Sequence, residues 1–196
     1  MLDRGIAYYR RFLNGDEEGL TELISLYRHG LLRFIYGYVR DEALAEDVLC
    51  DVFLALYYKR SFKEQDGASL KTYLYKIARN KSLNLIKKQK RRREVSLDAT
   101  QKDGTGSLAT LLESKLPTPD SALEKKERSS TLFSALGCIK KEYAEVLLLR
   151  YFEDLDVESI ATVTKRNKKQ VYNLLARGKA ALKEELLLRG VDYEDF

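Results

Sequence analysis

Only one short stretch of this 196-residue chain is closed to an α-helix outright: both prolines, Pro117 and Pro119, fall in the run Leu-Pro-Thr-Pro-Asp. Proline lacks the backbone N–H that a helix interior needs, and its ring clashes with the preceding turn. No other proline occurs, so long helices are permitted on both sides of that point. Apolar residues recur there at steps of three and four, which is the helical period. Leu20, Leu23, Ile24, Tyr27, Leu31 and Ile35 form one such stripe, on a helix that Asn14 or Asp16 can cap and that runs to about Val39. Asp41 can cap the next, with Leu44, Val48, Leu49, Val52, Phe53 and Leu56 on one face. A polar break at 61–67 precedes a third helix from near Ser69 to about Lys90, whose stripe is Leu70, Tyr73, Leu74, Ile77, Ala78 and Leu85.

Residues 94–120 change character. The run 98–107 is small and polar, and the two prolines follow it, which is the composition of a linker. Beyond it the helical pattern returns. One helix is expected from Ser121 through Leu123, Leu132, Phe133 and Leu136, and another over Lys141–Tyr151. Asp156 can cap a short helix carrying Ile160, Ala161 and Val163; a turn at Thr164-Lys165-Arg166 leads to a last helix from about Asn167 to Leu187. The expected fold is therefore all-α. Two small helical domains, 1–93 and 121–190, are joined by a flexible linker at 94–120, the second domain has a helix-turn-helix, and an acidic tail follows at 191–196.

Several function classes find no support. No apolar run approaches the roughly 20 residues that span a bilayer, and the first residues lack the apolar stretch of a secretory signal, so a cytoplasmic protein with no membrane insertion is expected. Cys50 and Cys138 stand far apart and make no disulfide framework. His29, the single histidine, has no Cys/His neighbour at metal-ligand spacing. There is no glycine-rich phosphate loop and no Ser/His/Asp motif. No catalytic residue, metal or cofactor is expected, and the chain is not read as an enzyme.

The net charge of +5 says little by itself, but its distribution says more. Lys71 to Arg93 holds ten Lys/Arg and no acid, and Ser159 to Lys183 holds seven and no acid. Asp41 to Asp51 holds five acids and no base. In the helix-turn-helix at 156–182, Val171, Leu174, Leu175, Gly178 and Leu182 share a face that can pack on Ile160 and Val163, with Gly178 permitting close approach. Lys168, Lys169, Gln170, Tyr172, Asn173 and Arg177 are left outward. Such a helix can lie in the major groove, with lysines on phosphates and Gln or Asn at base edges. The plainer alternative is a helical hairpin with a solvated basic face.

On the 69–90 helix, Lys76, Asn80, Asn84 and Lys87 fall at steps of four, four and three and share a polar face, widened by Arg79, Lys81 and Lys88. Tyr73 and Tyr75 stand near its start and Phe62 in the loop before it. Aromatics among cations suit single-stranded DNA, whose bases stack while its phosphates meet charge. A core Tyr73 beside a solvated lysine face fits the same pattern. The acidic helix at 41–57 offers Glu46, Asp47 and Asp51 beside an apolar face, which suits a basic protein partner and equally an ordinary solvated face.

Taken together these segments resemble one family. The run Ala45-Glu46-Asp47-Val48-Leu49-Cys50-Asp51-Val52-Phe53-Leu54 is similar to region 2.2 of bacterial RNA polymerase sigma factors of the extracytoplasmic-function (ECF) type. Leu70-Lys71-Thr72-Tyr73-Leu74-Tyr75-Lys76-Ile77-Ala78-Arg79-Asn80 is similar to their region 2.3–2.4, and 132–188 to their region 4. The resemblance implies a factor that binds core RNA polymerase, directs it to promoters and helps open the duplex. It implies that Asp47, Asp51 and Phe53 meet the β′ clamp helices and that the loop around 61–69, with Phe62, captures a flipped base of the −10 element. Lys71, Tyr73, Lys76, Arg79, Asn80, Asn84 and Lys87 would contact the melting strand. Arg150 and the face carrying Lys168, Lys169, Gln170, Tyr172, Asn173 and Arg177 would meet the −35 element, with region 4 on the β flap. An anti-sigma factor is a further implied partner, and the free chain is expected to be a monomer. The chain departs from the family at Cys50, where Gln is frequent, at Tyr73, where Trp is frequent, and at Lys165-Arg166, where Gly and an aliphatic residue are frequent. Two readings from other classes stand beside this one: a helix-turn-helix regulator that does not join the polymerase, and a helical interaction protein with incidental basic faces.

Overall fold

The structure, a computed structural model, describes residues 4–59, 62, 69–95 and 131–191. Among the described residues there are helices and no strand. The first half holds α1 (Arg4–Leu13), α2 (Glu17–Val39), α3 (Glu42–Lys59) and α4 (Leu70–Val95). The second holds α5 (131–138), α6 (Lys141–Leu147), a π-turn (Leu148–Phe152), α7 (Val157–Thr164) and α8 (Lys168–Leu188). No described helix is long and apolar enough to cross a membrane.

The helix starts follow from single polar side chains. Asp16, not Asn14, caps α2, accepting from the Glu18 amide at 3.0 Å. Asp41 accepts from Leu44 N at 2.9 Å, and Ser69 Oγ from Thr72 N at 3.1 Å. Each satisfies an amide that the first helical turn leaves without an internal partner. α2, α3 and α4 then pack on one another, with α1 laid against α2. The core takes Leu23, Tyr27, Leu31 and Ile35 from α2, Val48, Leu49, Val52 and Leu56 from α3, and Leu70, Leu74 and Ala78 from α4. These are the expected stripes, and each fully buried Leu or Ile contributes about 1.5–3 kcal/mol over an exposed one.

α1 and α2 are separated at Asn14-Gly15, where Gly15 takes a φ of +93°. Three differences from the sequence reading have local causes. α4 runs through Val95, two residues into the expected linker; the rest of the linker, the start of the 121 helix and the acidic tail after 191 lie outside the described residues. The expected 141–151 helix is α-helical only to Leu147 and then widens into the π-turn, where Glu153 N bonds Leu148 O at 3.1 Å. Tyr75 is wholly buried, so it is a core ring and not a surface for stacking.

In the second half, α6 and α7 each pack on α8. The buried face of α8 is Val171, Leu175, Gly178, Leu182 and Leu186, against Ile160 and Val163 of α7 and Leu147 of α6. Gly178 does permit a close approach, but to α6. A Cβ there would meet Leu147 and Tyr143 at 3.3 Å. The two halves also touch each other, α2 with α6 and α4 with α7, and the core is continuous across them.

Candidate nucleic-acid and protein-binding surfaces

The helix-turn-helix is built by two caps and one left-handed turn. Asp156 opens α7, accepting from Ser159 N at 2.7 Å, and that bond holds its carboxyl below the usual carboxylate range. Asn167 opens α8 with a full capping box: its Oδ1 accepts from Gln170 N at 2.8 Å, and Gln170 Oε1 accepts from Asn167 N at 2.9 Å. Between them Lys165 takes φ +56° and ψ +44°, its amide bonding Ala161 O. Arg166 ties the turn to α6, donating to Glu142 at 2.6 Å and Glu145 at 3.4 Å.

Lys165 therefore occupies the left-handed position for which the resemblance leads one to expect glycine. The left-handed conformation costs an L-residue about 1–2 kcal/mol. The larger unfolded-state entropy of glycine offsets part of that gain, so Lys165→Gly should raise the unfolding free energy by about 0.5–1 kcal/mol. A urea melt reads this as a higher midpoint at unchanged slope, and an unchanged or lower midpoint would show that the turn carries no such strain.

The outward face of α8 presents Lys168, Lys169, Gln170, Tyr172, Asn173 and Arg177, all exposed. They are not equivalent. Lys168 pairs with Glu158, which raises the lysine and lowers the carboxyl. An exposed pair of this kind is weak enough for a phosphate to displace. Gln170 is engaged in the capping box. Tyr172 is 60% exposed and, with Asn173 and Arg177, lies beyond the cap. Arg150 is elsewhere. It donates to the Leu155 carbonyl at 3.0 Å and braces the segment after the π-turn, a bond that no local sequence signal announces.

On the first half, Lys76, Asn84 and Lys87 are exposed and Asn80 half-buried along α4. Asn84, Lys87, Lys88, Arg91 and Arg92 line a shallow basic hollow at its C-terminal end. Lys71 and Arg79 are turned toward the second half, Lys71 to Glu153 at 3.3 Å and Arg79 to Glu145 at 2.6 Å. Burial of the Arg79 guanidinium works against its charge, and the bond and charge of Glu145 outweigh it, so its pKa is raised. Phe62 is buried, its ring 5.8 Å from Tyr9 and 5.5 Å from the half-buried Tyr73. In this state it is an inward-facing ring and not one offered to a flipped base.

Asp47 and Asp51 are exposed on α3, one turn apart, and Asp51 accepts from Lys81 at 3.1 Å. Glu46 is held internally by Arg28 at 2.6 Å. Phe53 is only 8% exposed and belongs to the core, so it supports this acidic face from beneath without presenting its ring. No group of three or more His, Cys, Asp or Glu that could hold a metal occurs among the described residues.

Residues 23–92 match Sigma-70 region 2, and residues 131–182 match Sigma-70, region 4. The chain is 25% identical over 175 residues to the ECF RNA polymerase sigma factor SigM of Bacillus subtilis, covering 89% of this chain and 99% of that one. It is 28% identical over 176 residues to the RNA polymerase sigma-H factor of Pseudomonas aeruginosa, covering 90% of each. Its fold is similar to that of CnrH in complex with the cytosolic domain of CnrY, at a TM-score of 0.61 and 17% identity over 94% of this chain and 97% of that one. It is also similar to the sigma factor RpoE in complex with the anti-sigma factor NepR from Bartonella quintana, at a TM-score of 0.64 and 20% identity over 85% of this chain and 95% of that one.

Proposed function

This chain belongs to the family of ECF-type RNA polymerase sigma factors, which direct core RNA polymerase to promoters, and we propose how its surfaces divide that work. Residues 1–93 act as region 2 and residues 121–190 as region 4, with 94–120 as the tether. The exposed acids Asp47 and Asp51 face basic side chains on the β′ clamp helices. Lys76, Asn80, Asn84 and Lys87, joined by Lys71 and Arg79, receive the −10 strand as it melts. The outward face of α8 enters the major groove of the −35 element, Lys168 and Lys169 on phosphates, Asn173 and Arg177 at base edges, Tyr172 beside them. Region 4 rests on the β flap.

One observation carries the reading: a helix-turn-helix with an exposed basic face and an α4 that is basic along its length lie in one chain, beside an acidic helix that DNA would repel. A regulator that ignored the polymerase would have no use for α3 and α4, and that alternative is not favoured. The factor has no catalytic role, works in the cytoplasm with the polymerase and, like the two solved relatives captured with partner proteins, is held by an anti-sigma factor. The test is reconstitution. Core polymerase given the purified chain should initiate from a defined subset of a randomised promoter library, and core alone should not. Failure to bind core while still binding duplex DNA would leave the regulator as the surviving reading.

A further inference from the structure

The acidic face of α3 and the basic face of α4 meet at one ion pair. Lys81 of α4 donates to Asp51 of α3 at 3.1 Å. The carboxylate is 59% exposed and the lysine 32%. Both residues line two shallow hollows between these helices. One hollow also holds Asp47 of the acidic face and Asn84 and Lys88 of α4. The other holds Tyr58 of α3 with Tyr73 and Ile77 of α4. Asn80 and Asn84 are one turn apart, about 6 Å along the helix axis, and Lys81 lies in that interval, on the edge of the face toward α3.

A phosphate laid across Asn80 and Asn84 therefore comes within reach of Lys81, whose ammonium is a point charge on a flexible stem. It meets Asp51 at the same place. Cation and carboxylate cancel, so this point of an otherwise basic face offers a strand no net charge. The pair is also weak. An exposed pair of this kind shifts an equilibrium by at most about fivefold, so either member yields to a better partner. A cation brought to Asp51 from outside neutralises the carboxylate and leaves the Lys81 ammonium with its full charge.

We propose that Lys81 is a strand-binding residue that works by exchange of its counter-ion: a polymerase cation takes Asp51, and a −10 phosphate takes Lys81. The inference rests on the assignments made above, of α4 to the strand and of Asp51 to the β′ clamp helices. Carboxylate and phosphate oxygens make the same demand on a lysine, so the exchange replaces one charge-assisted hydrogen bond by two. Docking and strand capture then favour each other, and by linkage the factor is the same in both directions.

The test is a double-mutant cycle in the full chain with Asp51→Asn, Lys81→Gln and the two combined. Both positions lie at the surface, where substitutions leave a fold intact, and circular dichroism verifies unchanged helix content. Strand affinity is read from the anisotropy of a labelled oligo(dT) of about 12 nucleotides, within the usual site size for single strands. Core affinity is read by competition against unmodified protein for limiting core polymerase. Low ionic strength keeps surface charge unscreened. Asp51→Asn should raise oligo(dT) affinity about threefold and lower core affinity, and Lys81→Gln should do the reverse, each within the range of an exposed pair. A pair that only held α3 to α4 would not move the two affinities in opposite directions. In the Lys81→Gln background the oligo(dT) gain from Asp51→Asn should vanish, because no cation remains to be freed. A mere change in overall charge would give the same gain in both backgrounds. Equal gains in the two backgrounds, no gain at all, or a Lys81→Gln variant that does not bind core more tightly overturns the proposal. Lys76→Ala separates the causes of failure. If it too leaves oligo(dT) affinity unchanged, the assignment of α4 to the strand has failed and the proposal with it. If it weakens oligo(dT) binding while the cycle shows no coupling, that assignment stands and the exchange alone is wrong.

Discussion

Asn173→Ala will select different −35 sequences from a randomised promoter library than the wild-type protein does. Loss of a bidentate amide–base contact relaxes preference at the contacted pair by about 1–3 kcal/mol, roughly 5- to 150-fold in relative use. Asn173 is suited to that contact because it is exposed on α8, one turn past the capped end. Gln170 has the same amide and is a different case, since its Oε1 is held by Asn167 N. Glutamate performs the same capping role, so Gln170→Glu should keep the wild-type preference, although a base-reading glutamine could not survive the exchange. Gln170→Ala should weaken binding to all −35 sequences alike, through a frayed helix start. A preference changed by Gln170→Glu and untouched by Asn173→Ala would reverse the two roles.

Replacing Asp47 and Asp51 together by Lys should lower affinity for core polymerase at least tenfold, which is about 1.4 kcal/mol. Like charges set against one another across an interface are strongly unfavourable. The internal loss is small by comparison. Asp51 forgoes its pair with Lys81, and that carboxylate is 59% exposed, where such pairs contribute about 0–1 kcal/mol. Because Glu46 is tied to Arg28, its reversal would confound docking with packing, and the two aspartates are the cleaner probe. Competition against unmodified protein for limiting core enzyme gives the ratio directly. Equal competition by a folded double variant would remove this face from the docking surface.

What could be read in the chain was local. The caps at Asp16, Asp41, Ser69, Asp156 and Asn167 each act within three residues, and the apolar stripes repeat within one turn, so the helices and the helix-turn-helix follow from neighbours in sequence. Periodicity also identified the polar side of α4, but it could not separate Tyr73 from Tyr75, because both border the same stripe and only packing decides which is wholly enclosed. Phe53 and Phe62 are given outward roles by the resemblance and lie inward, as members of the buried core. Gln170 fits a base reader and a capping residue equally well until the backbone is placed. The pairs least visible are those between the halves: Arg79 and Glu145 are 66 residues apart and Arg33 and Glu153 are 120 apart. No pattern within a helical turn carries such information, since it exists only once one half has docked on the other.

The capping box at Asn167 and Gln170 also bears on how promoter preference can change over generations. A helix that reads DNA must keep its register while its reading side chains vary, and here the two tasks fall on different residues of one exposed face. Positions 172, 173 and 177 can be substituted without disturbing the first turn of α8, so a duplicated copy of the gene could drift toward new promoters through them in single steps. Position 170 is held to side chains that can accept a hydrogen bond from the Asn167 amide. Among descendants of this protein, divergence in target sites should therefore be written at 172, 173 and 177, with Gln or Glu persisting at 170.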